Sequence, residues 1–211
     1  ISGSVSRRDR TWYAYYRIDP GPPLRLSRVD VRLYGEARDD PEMQSLVNQF
    51  PLKKGDILNH VSYEKGKGAL RDLAAELGFF GAKFREHAIR VDLKPYDASI
   101  RLYLESGSRA RFGRVTFNET PLSDELLQRF VTFKPGDPYR ASQMLALQRS
   151  LLNSGYFATA DVDAQPEKAK QGETPVAVNL GMAPRNRYEV GAMPSSTAMG
   201  VLPFWVLSAL G

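Results

Sequence analysis

Short runs of alternating apolar and polar residues recur along this chain, and between them the apolar spacing changes to that of a helix. Val29, Val31 and Leu33 alternate with Asp30, Arg32 and Tyr34, the period of a strand with one buried face. A helix is predicted next. Asp40-Pro41-Glu42 supplies an N-cap, a proline for the first helical position and an acid for the first turn. Met43, Leu46, Val47 and Phe50 then fall on one helical face. Beyond a Gly55-Asp56 turn, Leu70, Leu73, Ala74 and Leu77 mark a second helix, and Gly78 stops it where a left-handed residue costs least. Phe79-Phe80 leads into a second strand. Ala98, Ile100, Leu102 and Leu104, alternating with Ser99, Arg101, Tyr103 and Glu105, form a third.

The same order occurs again. Leu52-Lys53-Lys54-Gly55-Asp56 recurs as Phe133-Lys134-Pro135-Gly136-Asp137. Leu26-Ser27-Arg28-Val29-Asp30-Val31 recurs as Phe112-Gly113-Arg114-Val115-Thr116-Phe117, and Leu77-Gly78-Phe79-Phe80 as Ser154-Gly155-Tyr156-Phe157. Ser123-Asp124-Glu125 starts a helix marked by Leu127, Phe130 and Val131. Met144, Leu147, Leu151 and Leu152 mark the next, and Val176, Val178 and Leu180 the closing strand. Two copies of one supersecondary unit read this way, with small deletions that leave the buried face in phase.

The fold class is therefore α+β, in tandem β-α-α-β-β modules. Each is a three-stranded mixed sheet with two antiparallel helices on one face. The modules are expected over residues 23–107 and 108–186. Trp12, Ala14, Tyr16 and Ile18 alternate as well, so residues 1–22 read as the closing strand of a truncated preceding module. In the second strand, Phe80 and Phe157 are expected to face the core, with Phe79 and Tyr156 outward.

Composition narrows the chemistry. Cysteine is absent from the 211 residues, which removes thiol catalysis, Cys-based zinc sites and disulfides together. The formal net charge is +5, spread thinly. Residues 1–10 are polar, without a basic-then-apolar leader, and no apolar run reaches the eighteen or so residues of a membrane-spanning helix. His60 and His87 are the only histidines. His60 is placed in the turn before the second helix and His87 in a strand. With no HExxH spacing, both read as surface residues and no metal site is assigned. Gly66-Lys67-Gly68 lacks the Gly-Lys-Ser/Thr ending of a phosphate loop and lies near a helix start. Asp56 and Asp137, in separate modules, read as turn residues bonding their own backbone. No catalytic residue and no cofactor are expected.

With those residues in hand, the chain resembles the polypeptide-transport-associated (POTRA) domains of the BamA/TamA superfamily of outer-membrane assembly factors. The features that carry the likeness are Gly-Asp followed by a helix ending in Gly-Phe-Phe or Gly-Tyr-Phe, and the segment Asp19-Pro20-Gly21-Pro22-Pro23. Through Tyr16-Arg17-Ile18-Asp19-Pro20-Gly21 it is similar to the TamA branch. The resemblance implies a periplasmic location ahead of an outer-membrane β-barrel. It also implies unfolded outer-membrane protein or autotransporter clients, and an inner-membrane or periplasmic partner subunit, with no nucleic acid. Arg187-Tyr188-Glu189-Val190-Gly191 resembles the start of a barrel strand, so residues 187–211 read as the beginning of a missing barrel followed by a tail that does not match.

By that resemblance the second strand of each module is a sheet edge, over residues 83–93 and 157–165. An edge strand templates an added extended peptide. The client-binding residues are thus expected to be Phe84, Arg85, Glu86, His87, Ala88, Ile89 and Arg90 in one module, and Phe157, Ala158, Thr159, Ala160, Asp161 and Val162 in the other. Two other functions fit the pattern: the module region of a two-partner secretion transporter, and a nucleic-acid-binding α+β repeat suggested by a pI near 9.4. The second of these lacks basic and aromatic residues interleaved on one strand.

Overall fold

A computed structural model describes residues 2–17 and 21–184. The segment expected to begin a barrel, 187–211, lies outside the described residues. The chain divides into two units, with the division between Ala110 and Arg111.

The first unit opens with a hairpin of β1 (Ser2–Arg8) and β2 (Thr11–Arg17), paired antiparallel from Gly3↔Tyr16 to Arg7↔Trp12. The sequence pattern predicts only its second strand. Ser2–Arg8 carries Val5 as its one large apolar residue, too weak an alternation to read.

After the hairpin the module runs β3 (Arg25–Tyr34), α1 (Pro41–Asn48), α2 (His60–Glu76), β4 (Lys83–Asp92) and β5 (Asp97–Glu105). The sheet order is β3-β5-β4, with β3 parallel and β4 antiparallel to the central β5. This is the mixed three-stranded sheet that the sequence predicts. Along β5, Ala98, Ile100, Leu102 and Leu104 are buried while their alternating neighbours are half-buried. These side chains meet Met43, Tyr63, Leu70 and Ala74 from the helices, with Phe50 and Leu77 from just beyond the helix ends, in one core.

The local rules act as expected at α1, where Asp40 caps the Glu42 and Met43 N–H groups at 2.9 and 3.1 Å. Arg109 ties that helix start to the end of α2. It donates to the Asp40 carboxylate at 3.2 Å and to the Leu77 carbonyl at 3.0 Å.

The second unit repeats the plan with β6 (Arg111–Phe117), α3 (Asp124–Gln128), α4 (Ala141–Asn153), β7 (Phe157–Ala164) and β8 (Glu173–Met182), in sheet order β6-β8-β7. Its core stacks Phe112 on Phe133 at a ring separation of 3.8 Å, with Tyr139 alongside.

Two placements differ from expectation. His60 is not in a turn; it is the first residue of α2, after the N-cap Asn59. The aromatic pair of the first module is inverted: Phe79 is 2% exposed and Phe80 42%. The reason is the end of α2. Gly78 adopts φ 81°, the Phe79 N–H bonds back to Ala74, and the Gly78 N–H to Ala75. This Schellman closure packs the residue after the glycine onto the last helical turn. In the second module the strand begins at Phe157 itself, which is 3% exposed while Tyr156 is 49% exposed, as the alternation predicts.

Candidate functional site

In each module the second strand lies at the sheet edge, so one side of its backbone has no strand partner among the described residues. On β4, Phe84 is half-buried, parallel to His87 at 6.4 Å, with the Lys67 ammonium 5.9 Å from its ring. Arg85 sits at a register shift between Phe84 and Glu86, pairs with Glu105 and lies over Tyr34. Glu86 faces Arg101 at 3.6 Å. His87, Ala88 and Arg90 are exposed and Ile89 is half-buried.

On β7, Ala158, Thr159 and Asp161 are exposed and Val162 is half-buried. Phe157 and Ala160 are buried, so those two expected site residues present no side chain to a client. Sequence reasoning missed a neighbour: the Gln148 side chain of α4 donates to the Ala160 carbonyl at 2.8 Å. A glutamine on a helix carries no signal that it reaches a sheet edge.

The first strand is the other edge, and its beginning is covered. Leu26 N–H donates to the Asp56 carbonyl, and Gly55 and Leu58 donate to Leu26 and Leu24. The second module repeats this with Phe112, Asp137 and Gly136. Asp56 and Asp137 hold these turns by accepting from the Lys53 and Lys134 N–H groups, both at 2.8 Å. Their sequence reading as turn residues matches this geometry.

The outer face of the first module's sheet carries a charged cluster. Asp30 on β3 accepts from Arg28, Arg32 and the Tyr103 hydroxyl at 2.7 to 2.9 Å. Burial pushes the Asp30 carboxyl up, but the hydrogen bonds from Arg32, Tyr103 and Arg28 outweigh it and hold the pKa below the usual carboxylate value. A depressed folded-state pKa contributes stability that is complete above the unfolded value and lost as pH falls through the folded one. Acid unfolding of Asp30→Asn is therefore expected to be shallower than the parent's below about pH 4. Denaturant titrations at stepped pH test this, and equal slopes would show that the cluster contributes no linkage.

Among the described residues no group of His, Asp and Glu is placed to hold a metal, and no helix is long and apolar enough to cross a membrane.

Residues 110–180 match the family model for POTRA, described as the surface antigen variable number repeat. Over 165 residues the chain is 22% identical to the outer membrane protein assembly factor BamA of Neisseria meningitidis, covering 71% of this chain and 20% of that protein. Residues 110–180 are thus similar to a POTRA domain. A Treponema pallidum protein that bears the name of an outer membrane protein assembly factor is 27% identical over 124 residues, covering 58% of this chain and 15% of that protein. The chain spans about a fifth or less of the length of these relatives.

Solved POTRA structures share the fold. BamA of Haemophilus ducreyi lacking POTRA domains 1–3 superposes with a TM-score of 0.59 at 13% identity, covering 78% of this chain and 30% of that one. POTRA3-5 of Haemophilus influenzae BamA gives 0.52 at 17% identity, covering 85% and 70%.

Proposed function

We propose that this chain is the periplasmic POTRA region of an outer-membrane protein assembly or translocation factor. It binds extended client polypeptides and partner subunits and feeds a C-terminal β-barrel. The observation that carries this reading is the sheet order, which puts the second strand at the edge in both modules. Strand addition takes most of its energy from main-chain hydrogen bonds, so one edge serves clients of many sequences. Affinity is weak, because ordering a floppy peptide consumes much of the gain. Assembly-factor relatives that share the domain support the same role.

The test removes outward main-chain donors one at a time. His87→Pro in β4 and Val162→Pro in β7 delete an N–H that turns away from the sheet, which an edge strand absorbs without unfolding. A folded variant at an edge that takes the client is expected to lose about tenfold in affinity for peptides with a barrel-strand pattern, the equivalent of one or two hydrogen bonds. Full retention of binding by both variants would remove strand addition at these edges.

A further inference from the structure

The two edges are not equivalent, and register shows why. On β5, the Ser106 N–H donates to the Tyr34 carbonyl of β3. Alternation along the strand then turns the main-chain groups of Tyr103, Arg101 and Ser99 toward β4. Their partners Glu86, Ala88 and Arg90 are spent in the ladder, so His87, Ile89 and Val91 direct their N–H and C=O groups outward. On β7, the Gln165 N–H donates to the Pro175 carbonyl. The same alternation leaves Ala160, Val162 and Ala164 pointing outward.

One of those β7 acceptors is already occupied, since the Gln148 carboxamide bonds the Ala160 carbonyl at 2.8 Å. Helix α4 runs against β7, whereas α2 makes no comparable approach to β4. The outer face of β7 carries Asp161 and Asp163, both exposed. On β4 the outer face is mixed: Glu86 pairs with Arg101, Asp92 is exposed and accepts from the Lys94 N–H, and two cations are left over. Lys83 and Arg90 are exposed on the outer face, and neither has an ion-pair partner among the described residues. On the helix side, Val91 is 45% exposed and Ile89 half-buried, because α2 does not cover that end of the strand.

We propose that β4 is the strand-accepting edge of this chain, that the strand it accepts alternates apolar with acidic residues, and that the Gln148 carboxamide holds β7 closed. This rests on the reading of the second strands as client-binding edges. The added strand lays its apolar residues beside Ile89 and Val91, and its carboxylates beside Lys83 and Arg90. Cross-strand pairs of opposite charge are favourable and like charges are not.

Amide hydrogen exchange of the full chain, read residue by residue, tests this with three peptides of alternating valine and glutamate, valine and lysine, and valine and threonine. The glutamate peptide is expected to slow exchange at His87, Ile89 and Val91, and to bind about five- to tenfold more tightly than the lysine peptide, as two charge pairs imply. The threonine peptide is expected to protect β4 alone in the parent. In Gln148→Leu it is expected to protect Val162 and Ala164 as well, with about fivefold tighter binding there for one freed acceptor. Equal protection of β4 and β7 in the parent would overturn the closure by Gln148, leaving the edge reading intact. Equal binding of the lysine and glutamate peptides would overturn the acidic strand and likewise leave that reading intact. Protection of neither edge by any of the three would overturn the edge reading itself, and this proposal with it.

Discussion

Phe157→Ala is expected to destabilise the second module by about 3–5 kcal/mol, the usual cost of emptying a buried aromatic site. The ring is 3% exposed at the first position of β7. The corresponding loss in the first module belongs to Phe79→Ala, because Phe79 rather than Phe80 is buried there. Tyr156→Ala and Phe80→Ala, at rings nearly half exposed, are expected to cost under about 1 kcal/mol. Urea unfolding of the four variants decides the phase of both aromatic pairs. A loss at Phe80 as large as that at Phe79 would mean that the Schellman closure does not direct the chain as described.

The second large effect lies in α2. Gly66 and Gly68 are both interior helical glycines, yet their surroundings differ. A methyl group built on Gly66 would sit 2.4 Å from Phe50 Cε2 and 2.8 Å from Pro51 Cδ, while one on Gly68 would meet nothing within 4 Å. Phe50 is buried and Pro51 is stiff, so Gly66→Ala forces the loop off the helix. We expect a net loss of about 1–3 kcal/mol from overpacking, even after the helical preference of alanine is counted. Gly68→Ala has only that preference and is expected to stabilise by about 0.5–1 kcal/mol. Opposite shifts in the denaturation midpoint identify Gly66 as a packing residue. Stabilisation by both changes would show that the Phe50 ring moves aside freely.

That glycine pair also shows where sequence reading reaches and where it stops. The residues after Gly66-Lys67-Gly68 exclude a phosphate loop, but no pattern in the string says that one glycine lies beneath a phenylalanine. Strand β5 was fully legible, since alternation by two is a local property that one buried face enforces. The Asp40 cap and the helix start at Pro41 were legible for the same reason, both arising within a few residues. The order Phe79 in, Phe80 out was not. It depends on whether the helix end closes back on itself before the strand begins, and both modules offer the same Gly-aromatic-aromatic string. Edge position was implied by resemblance, whereas the difference between the edges was hidden. The Gln148 bond to Ala160 joins a helix to a strand through a side chain whose sequence context is unremarkable.

The turns that hold Asp56 and Asp137 bear on how two units of one plan keep their strands apart as the chain is made. Neighbouring repeats are prone to exchange strands, because each presents the other with a nearly correct partner at very high local concentration. The strand most exposed to such exchange is the first of each module, made before the β5 or β8 strand that will lie beside it. In both modules the Gly-Asp turn bonds to the start of that strand, and it comes after the strand within the same stretch of nascent chain. Covering the strand's beginning thus requires no residue made later than the turn itself. The recurring Gly-Asp would then persist between copies because it keeps each strand with its own module.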